Sequence, residues 1–373
     1  MRPSRPERCI RRLVAATPVP VPDDPTRFDL VHPDTALPYR INAASAWIWT
    51  NLEEETDAET LAGRLAGAFG IAPDAAAEGL AAFVERMSAL GFVAADDGSP
   101  EARLRARYLG LLKSALANLL YPEHELRIEL LEREGPQPDL ARRLRDIRYS
   151  DAEQFEALIA HKRDGRNWRQ RATRFSHTMI GLKRLQNLEY CAQRVFADGV
   201  PGDFLEAGVC QGGGAIFLRG LQVAHGEGER RTWLADSFEG LPEPSLEQDR
   251  GYDFHEAVQP WLAAGLEAVK DNFRTYDLLS DAVRFLPGWF ADTLPGAPVE
   301  RLAILRIDAD LYLSTRQALD ALYDKVEPGG FVVVDDYHAF PPCRAAVDEF
   351  RAGRGIAEPI TRIDWTGIFW RKR

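Results

Sequence analysis

Only four of the 373 residues are cysteine (Cys9, Cys191, Cys210, Cys343), and none sits in a C-x-x-C pair or beside a histidine at zinc-ligand spacing. Neither a disulfide framework nor a zinc site is therefore indicated, and free thiols in a reducing compartment are expected. No apolar run reaches the roughly 18 residues of a membrane span. The basic opening MRPSRPERCIRRLVAATPVPVP is broken by prolines before a signal-peptide core can form. A cytoplasmic protein with no membrane partner is the expectation. Positive charge is also in deficit, with 46 Lys and Arg against 57 Asp and Glu and a net charge of −11, which argues against nucleic acid as a partner. The basic clusters between residues 103 and 174, such as LARRLRDIR and HKRDGRNWRQRATR, read as solvated helix faces. Internal repeats, low-complexity tracts and the dinucleotide signature G-x-G-x-x-G are missing as well.

What is present is the composition of a soluble globular chain, 45% hydrophobic and 28% charged, long enough for two or three domains. The first stretch carries FDLVHP and YRIN as short strands around the turn signal PDTALP. Three helical patterns follow, AASAWIWTNL capped by Asn42, ETLAGRLAGAF and APDAAAEGLAAFVERMSAL, and then a final GFV strand. Such an arrangement in about 95 residues looks like a winged-helix module. The turn chemistry of Asp96-Asp97-Gly98-Ser99-Pro100 marks its end, giving domains at 1–97, a helical connector and lid at 98–177, and an α/β domain at 178–373.

In that last domain strands and helices alternate: GDFLEAG, a helix through Leu221, RRTWLAD, LEAVKDNFRTY, VRFLPG, LAILRID, STRQALDALYDKV and GGFVVVDDY. The alternation predicts a doubly wound, mainly parallel α/β sheet with ligands at the strand carboxyl ends. At the first such end, Glu206-Ala-Gly208 and Gly212-Gly213-Gly214 allow close backbone approach to a ligand. Without a pyrophosphate-cradling turn, a nucleoside suits this turn better than a dinucleotide. Asp236 ends the next strand and can accept from two ribose hydroxyls. Asp308 ends the strand LAILRID, and Asp335 and Asp336 end GGFVVVDDY. Neighbouring strands lie about 4.8 Å apart, so the three carboxylates can converge on a hard cation such as Mg2+; capping helices or closing turns is the competing role. Asp310, two positions beyond Asp308, can face an acceptor oxygen as a base or stand behind the cluster to orient it.

The blocks EAGVCQGGGAIFLRG, ADSFEGLPEP, FLPGWFADTLP, LRIDADLYLST, GGFVVVDDY and IDWTGIFWRK resemble the macrocin-type (TylF-like) sugar O-methyltransferases over residues 105 to 373. The resemblance implies a Rossmann-like methyltransferase fold using S-adenosylmethionine and Mg2+. By position, it implies that Glu206, Gly208, Gly212, Asp236 and Ser237 bind the methyl donor. It places Thr178, Met179 and Ile180 over the donor, Gly288 and Trp289 near its adenosine, and Asp308 beside it. Asp308, Asp335 and Asp336 become the metal set and Asp310 the general base. The chain departs from the family pattern at Cys210 and Gln211, where members usually read Trp-Arg, at Ala309, and at His338, which could serve as an auxiliary base. These departures bear on the acceptor.

Residues 10 to 95, with Y-x-I/L-N and a tryptophan pair, are similar to PqqD-like peptide-recognition domains, which bind a leader peptide by strand addition. The expectation drawn from both resemblances is an O-methyltransferase of natural-product biosynthesis that methylates a hydroxyl of a leader-bearing ribosomal peptide. The alternative is a macrocin-type sugar O-methyltransferase acting on a glycosylated natural product, its N-terminal domain being structural. A non-catalytic binding protein is the remaining class, against which the retained aspartates and glycine turn speak. The sequence leaves homo-oligomerisation open.

Overall fold

Asn42 closes one strand and opens a helix, and the local chemistry shows why: its Oδ1 accepts from the Ser45 amide at 2.8 Å, satisfying one of the orphan donors of a helix start. The computed structural model describes residues 9–33, 37–52, 55–134, 139–165, 175–254 and 262–373. Contacts divide the chain into two units, Met1–Tyr108 and Leu109–Arg373.

The first unit runs β1 (Cys9–Arg12), β2 (Val19–Val21), β3 (Asp24–Val31), β4 (Pro38–Asn42), α1 (Ala43–Asn51), β5 (Glu55–Asp57), α2 (Ala58–Phe69), α3 (Pro73–Ala89) and β6 (Val93–Asp96). The helices and the strands β3 and β4 fall where the sequence patterns place them, whereas β6 begins only at Val93, the last residue of the expected GFV strand, because Gly91 and Phe92 still turn out of α3. Strands β1, β2 and β5 escape it because CIRR, VPV and ETD are too short to show alternation. They complete two antiparallel sheets, β5-β1-β6 and β2-β3-β4. Of the turn signal PDTALP, residues 34–36 lie outside the described residues. Leu30, Ile41, Ile48, Trp49, Leu80, Phe83 and Phe92 share one core. The Phe92 ring meets His32, Tyr39 and Trp49 edge-on at 4.8, 5.3 and 5.6 Å.

The expected break at Asp96–Pro100 does carry turn chemistry: Asp96 and Asp97 side chains accept from the Gly98 and Ser99 amides, and Ser99 Oγ accepts from the Ala102 amide. The division between the units falls later, within α4 (Pro100–Leu116). The helical stretch continues as α5 (Glu123–Glu134), α6 (Leu140–Arg145), α7 (Ile147–Ser150) and α8 (Ala152–Asp164). Leu126, Leu130, Leu140, Ile147, Phe155 and Leu158 form its own small core. The charged run beginning at His161 continues through residues 166–174, outside the described residues.

The α/β part comprises α9 (Gly181–Ala197), β7 (Asp203–Ala207), α10 (Gly213–Ala224), β8 (Thr232–Asp236), α11 (Leu266–Thr275), β9 (Val283–Pro287), α12 (Phe290–Thr293), β10 (Leu302–Ile307), α13 (Tyr312–Leu322), β11 (Val326–Val334), α14 (Pro341–Arg354), β12 (Thr361–Arg362) and β13 (Ile368–Arg371). Its seven strands lie in the order β12-β13-β11-β10-β7-β8-β9. All neighbours from β11 to β9 are parallel, and β13 runs antiparallel to β11. The buried faces of β7, β10 and β11 supply Leu205, Leu302, Leu305, Val332 and Val334 to the main core. From β7 the chain steps outward through β8 to β9, then crosses back to lay β10 on the other side of β7. That reversal makes the carboxyl ends of β7 and β10 a switch point, where open α/β sheets bind ligands.

The two ends approach unusually closely. A Cβ on Gly208, whose φ is +85°, would lie 1.8 Å from the carbonyl oxygen of Asp308. Only glycine fits, and this crossing sets the floor of the cleft described below. Gly208→Ala should therefore cost about 2–4 kcal/mol, from a left-handed backbone and a backbone clash together. A calorimetric melt within 1 kcal/mol of wild type would show that the crossing relaxes freely.

Candidate active site

The register of the parallel strands fixes the site before any side chain is considered. Arg306 on β10 lies opposite Glu206 on β7, and the next ladder bonds, Asp308 N to Ala207 O and Asp335 N to Ile307 O at 2.9 Å each, bring the strand ends level. Asp308, Asp335 and Asp336 consequently each offer a carboxylate oxygen, and these oxygens lie within 4.8 Å of one another. Asp310 follows in a left-handed conformation (φ 55°), its amide donating to Asp336 Oδ2 at 3.3 Å.

Two buried guanidiniums lie among these carboxylates. Arg306, 1% exposed, donates through Nη2 to Asp308 at 2.7 Å and to Asp335 at 2.6 Å, and through Nη1 to Glu206. Arg184 on α9 donates to the other Asp335 oxygen and, through Nε, to Asp364 at 3.0 Å. Neither arginine was singled out from the sequence. A charged residue inside the apolar run LAILRID was the available signal for Arg306, since a buried strand tolerates a charge only with partners. Arg184 sits in an ordinary amphipathic helix and gave no signal.

The guanidiniums do not discharge the cluster. Burial first, and then repulsion from neighbouring carboxylates, pushes Asp308, Asp310 and Asp336 above the ordinary carboxylate range, Asp310 and Asp336 well above it. Burial raises Glu206 to about 8 against the pull of Arg306. A pocket of hard oxygen donors whose ionised form the two arginines do not fully compensate fits a divalent cation of the Mg2+ type.

The adjoining region is built for a different ligand. Asp236, at the end of β8, accepts from the Val209 and Phe238 amides at 2.7 Å each, which joins the β7 and β8 loops. Burial raises its pKa and these amides oppose the rise. Cys210 and Phe238 are, like Asp310, non-glycine residues at positive φ (46° and 59°). Each such backbone costs of order 1–3 kcal/mol and persists only where the surroundings hold it. Gly213 and Gly214 leave room that side chains would fill: a Cβ would meet His177 O at 2.2 Å and Glu206 Oε1 at 2.2 Å.

The carboxylate cluster, both arginines, Asp236 and the glycine turn open on one cleft of about 1440 Å3. Of the residues expected from the sequence it brings together Thr178, Met179, Ile180, Glu206, Gly208, Asp236, Ser237, Trp289, Asp308, Asp310, Asp335 and Asp336. Gly212 and Gly288 stand behind the lining. Gly212 caps α10 at φ 85°, and the Gly288 amide donates to Asp236 O at 2.9 Å. His338 is not brought in. The chain turns after Asp336, whose carbonyl accepts from the Ala339 and Phe340 amides, so the side chains at 336 and 338 diverge. The exposed His338 ring packs edge-on against Tyr337 at 4.9 Å and lines a separate surface pocket with Arg344 and Asp348.

The roof was less legible. Glu125 and Lys162 form an ion pair, 6% and 1% exposed; Lys162 Nζ also donates to Ser176 Oγ at 2.8 Å, and Asn118 donates to Glu125 at 3.1 Å. The pair ties α5 and α8 to the segment that carries His177 and Thr178 over Gly213. His177 is held in turn by Tyr276 OH at 2.7 Å. Removing one partner of such a pair strands a buried charge. Lys162→Met should cost about 3–5 kcal/mol, and adding Glu125→Leu should recover most of it. Denaturant melts test this, and a double variant as unstable as the single one would refute the pairing.

Comparison with known proteins places this geometry in context. Residues 105–372 match the family model of macrocin-O-methyltransferase (TylF), and residues 30–93 match that of coenzyme PQQ synthesis protein D (PqqD). The chain is 47% identical over 270 residues to 8-demethyl-8-(2,3-dimethoxy-alpha-L-rhamnosyl)-tetracenomycin-C 4'-O-methyltransferase of Streptomyces olivaceus, covering 72% of this chain and 93% of that protein. It is 43% identical to mycinamicin III 3''-O-methyltransferase of Micromonospora griseorubida, covering 62% and 94%. The solved structure of the O-methyltransferase NovP superposes with a TM-score of 0.59 at 40% identity, covering 72% of this chain and 99% of that one. No helix among the described residues is long and apolar enough to cross a membrane.

Proposed function

Because the chain belongs to the macrocin-O-methyltransferase family, we propose that it is an S-adenosylmethionine- and Mg2+-dependent O-methyltransferase acting on a sugar hydroxyl of a glycosylated natural product. The observation that carries this reading is the meeting of Glu206 and Asp236 with Asp308, Asp310, Asp335 and Asp336 in a single cleft. Support for a sugar acceptor comes from the relatives, whose names specify a rhamnosyl tetracenomycin and mycinamicin III. The leader-bearing peptide expected from the sequence has no counterpart among them and rests on the PqqD match of residues 30–93 alone. In this reading the N-terminal unit is a structural element.

When bound, the donor supplies an electrophilic methyl group on a sulfonium, and the cation supplies positive charge that makes an acceptor hydroxyl easier to ionise. Glu206, Gly208, Asp236 and Ser237 would hold the donor, under Thr178, Met179 and Ile180 and beside Trp289. Asp308, Asp335 and Asp336 would hold the cation. Asp310 would accept the proton that the acceptor hydroxyl gives up when its oxygen takes the methyl group in place of the donor sulfur. Phe254, Leu313 and Phe340 wall the acceptor side with apolar surface and keep water from the methyl group.

These roles separate experimentally. Asp310→Asn should lower kcat by about 10²–10⁴-fold, the usual worth of a general base, with S-adenosylhomocysteine affinity unchanged; Asp236→Ala should weaken that affinity about tenfold. Chelation should abolish methylation of a glycosylated acceptor, followed as a 14-Da gain on the sugar. Full turnover in excess chelator, or a wild-type protein that binds no S-adenosylhomocysteine, would sink the assignment.

A further inference from the structure

We propose that Arg306 is a positioning residue shared by the donor-binding and cation-binding halves of the cleft, so that a single guanidinium links the two affinities. The inference rests on the reading above of which residues hold which ligand.

Arg306 contacts both halves at once. Its Nη1 donates to Glu206 on the donor side, and its Nη2 donates to Asp308 at 2.7 Å and Asp335 at 2.6 Å on the cation side. At 1% exposure it has no water to replace a lost partner. Strand register enforces the arrangement, since Arg306 lies directly opposite Glu206. Glu206 is itself 1% exposed, and its second oxygen, Oε2, is buried with no side-chain hydrogen-bond partner among the described residues. That oxygen is the one left to meet a cationic group of the donor.

The consequence follows from charge sharing. Three carboxylates compete for one fork of N–H donors, so a change at any of them redistributes the hold on the other two. If the Glu206 bond is lost, the guanidinium is no longer held in the orientation that sets Asp308 and Asp335, and the cation site loosens, although Glu206 is no part of the three-carboxylate cluster. A lysine in place of Arg306 keeps the charge but lacks the planar fork that reaches all three. Arg184 provides the internal contrast. Among the described residues its hydrogen bonds go to Asp335, Asp364 and the Gly165 carbonyl, none of which is a donor-side group.

The test measures two affinities separately in the full-length protein: S-adenosylhomocysteine by calorimetry on metal-stripped protein, and Mn2+ by electron paramagnetic resonance without donor. Arg306→Lys should weaken both by about tenfold or more, the usual effect of removing a group that orients metal ligands. Arg184→Lys should weaken Mn2+ alone. Glu206→Gln should weaken Mn2+ several-fold, whereas Asp236→Asn, the same carboxylate-to-amide exchange on the donor side at a residue that does not touch Arg306, should leave Mn2+ affinity unchanged. Should Arg306→Lys fail to fold, as judged by its melt, the Glu206→Gln and Asp236→Asn pair decides alone. Wild-type binding of both probes with Glu206→Gln and Asp236→Asn shifting Mn2+ equally, or with Arg306→Lys shifting one affinity only, would overturn the shared role and leave the methyl-transfer reading standing. Wild-type protein that binds neither probe would overturn the methyl-transfer reading itself.

Discussion

The α/β part of this molecule depends on carboxylates gathered at strand ends that are largely withdrawn from water. Glu206, Asp308, Asp335 and Asp336 are all buried or nearly so at the ends of three adjacent strands, and Asp310 faces the same cleft. Bringing carboxylates together at low dielectric is unfavourable, and the fold meets that cost with two internal arginines instead of solvent. The compensation is partial. The two guanidiniums are outnumbered by the carboxylates around them, and burial first, then repulsion among those carboxylates, strongly raises the proton affinities of Asp310 and Asp336.

Backbone strain marks the same place. Cys210, Phe238 and Asp310 follow the ends of β7, β8 and β10, and each holds a left-handed conformation that its side chain disfavours. Around them glycines stand at three close approaches of chain segments: Gly208 against the Asp308 carbonyl, Gly213 against the His177 carbonyl, Gly214 against the Glu206 carboxylate. The strained residues bend the loops over the strand ends, and the glycines let those loops close on one another. Strain and close approach thus form one construction, and the cleft is the space it encloses.

Helical residues outside the sheet complete that space. The segment from Ser176 to Ile180 covers the glycine turn, and what fixes it is the buried Glu125–Lys162 pair together with the His177–Tyr276 contact. At another wall of the cleft, Asp249 receives the Tyr312 and Leu313 amides at 2.6 and 3.3 Å and so caps the start of α13. That anchors the loop leading to Phe254, whose ring meets Phe340 at 5.1 Å at the cleft wall. The sheet therefore positions the charges, and the loops and helices around it shape what may approach them.

Much of this was legible in the sequence because it is local. Alternation of apolar strands with amphipathic helices gave the parallel sheet, carboxylates at strand ends gave Asp236, Asp308, Asp335 and Asp336, and the glycine-rich turn after Glu206 marked the switch point. Those features depend on residues adjacent in the chain, where periodicity and turn chemistry act directly. Strands β1, β2 and β5 were too short to carry a period. The direction of a side chain after a turn is set by the turn itself, which is why His338 looked like a neighbour of Asp336 and lies elsewhere. The arginines were invisible for a deeper reason. Arg184 meets Asp335 across 151 positions and Arg306 meets Glu206 across 100, so only the register of parallel strands and the docking of α9 decide that these charges share one buried site. The sequence by itself determined which groups stand at the strand ends; the tertiary structure decided which of them neutralise one another, because charge compensation in a low-dielectric interior is a matter of distance in space and not along the chain.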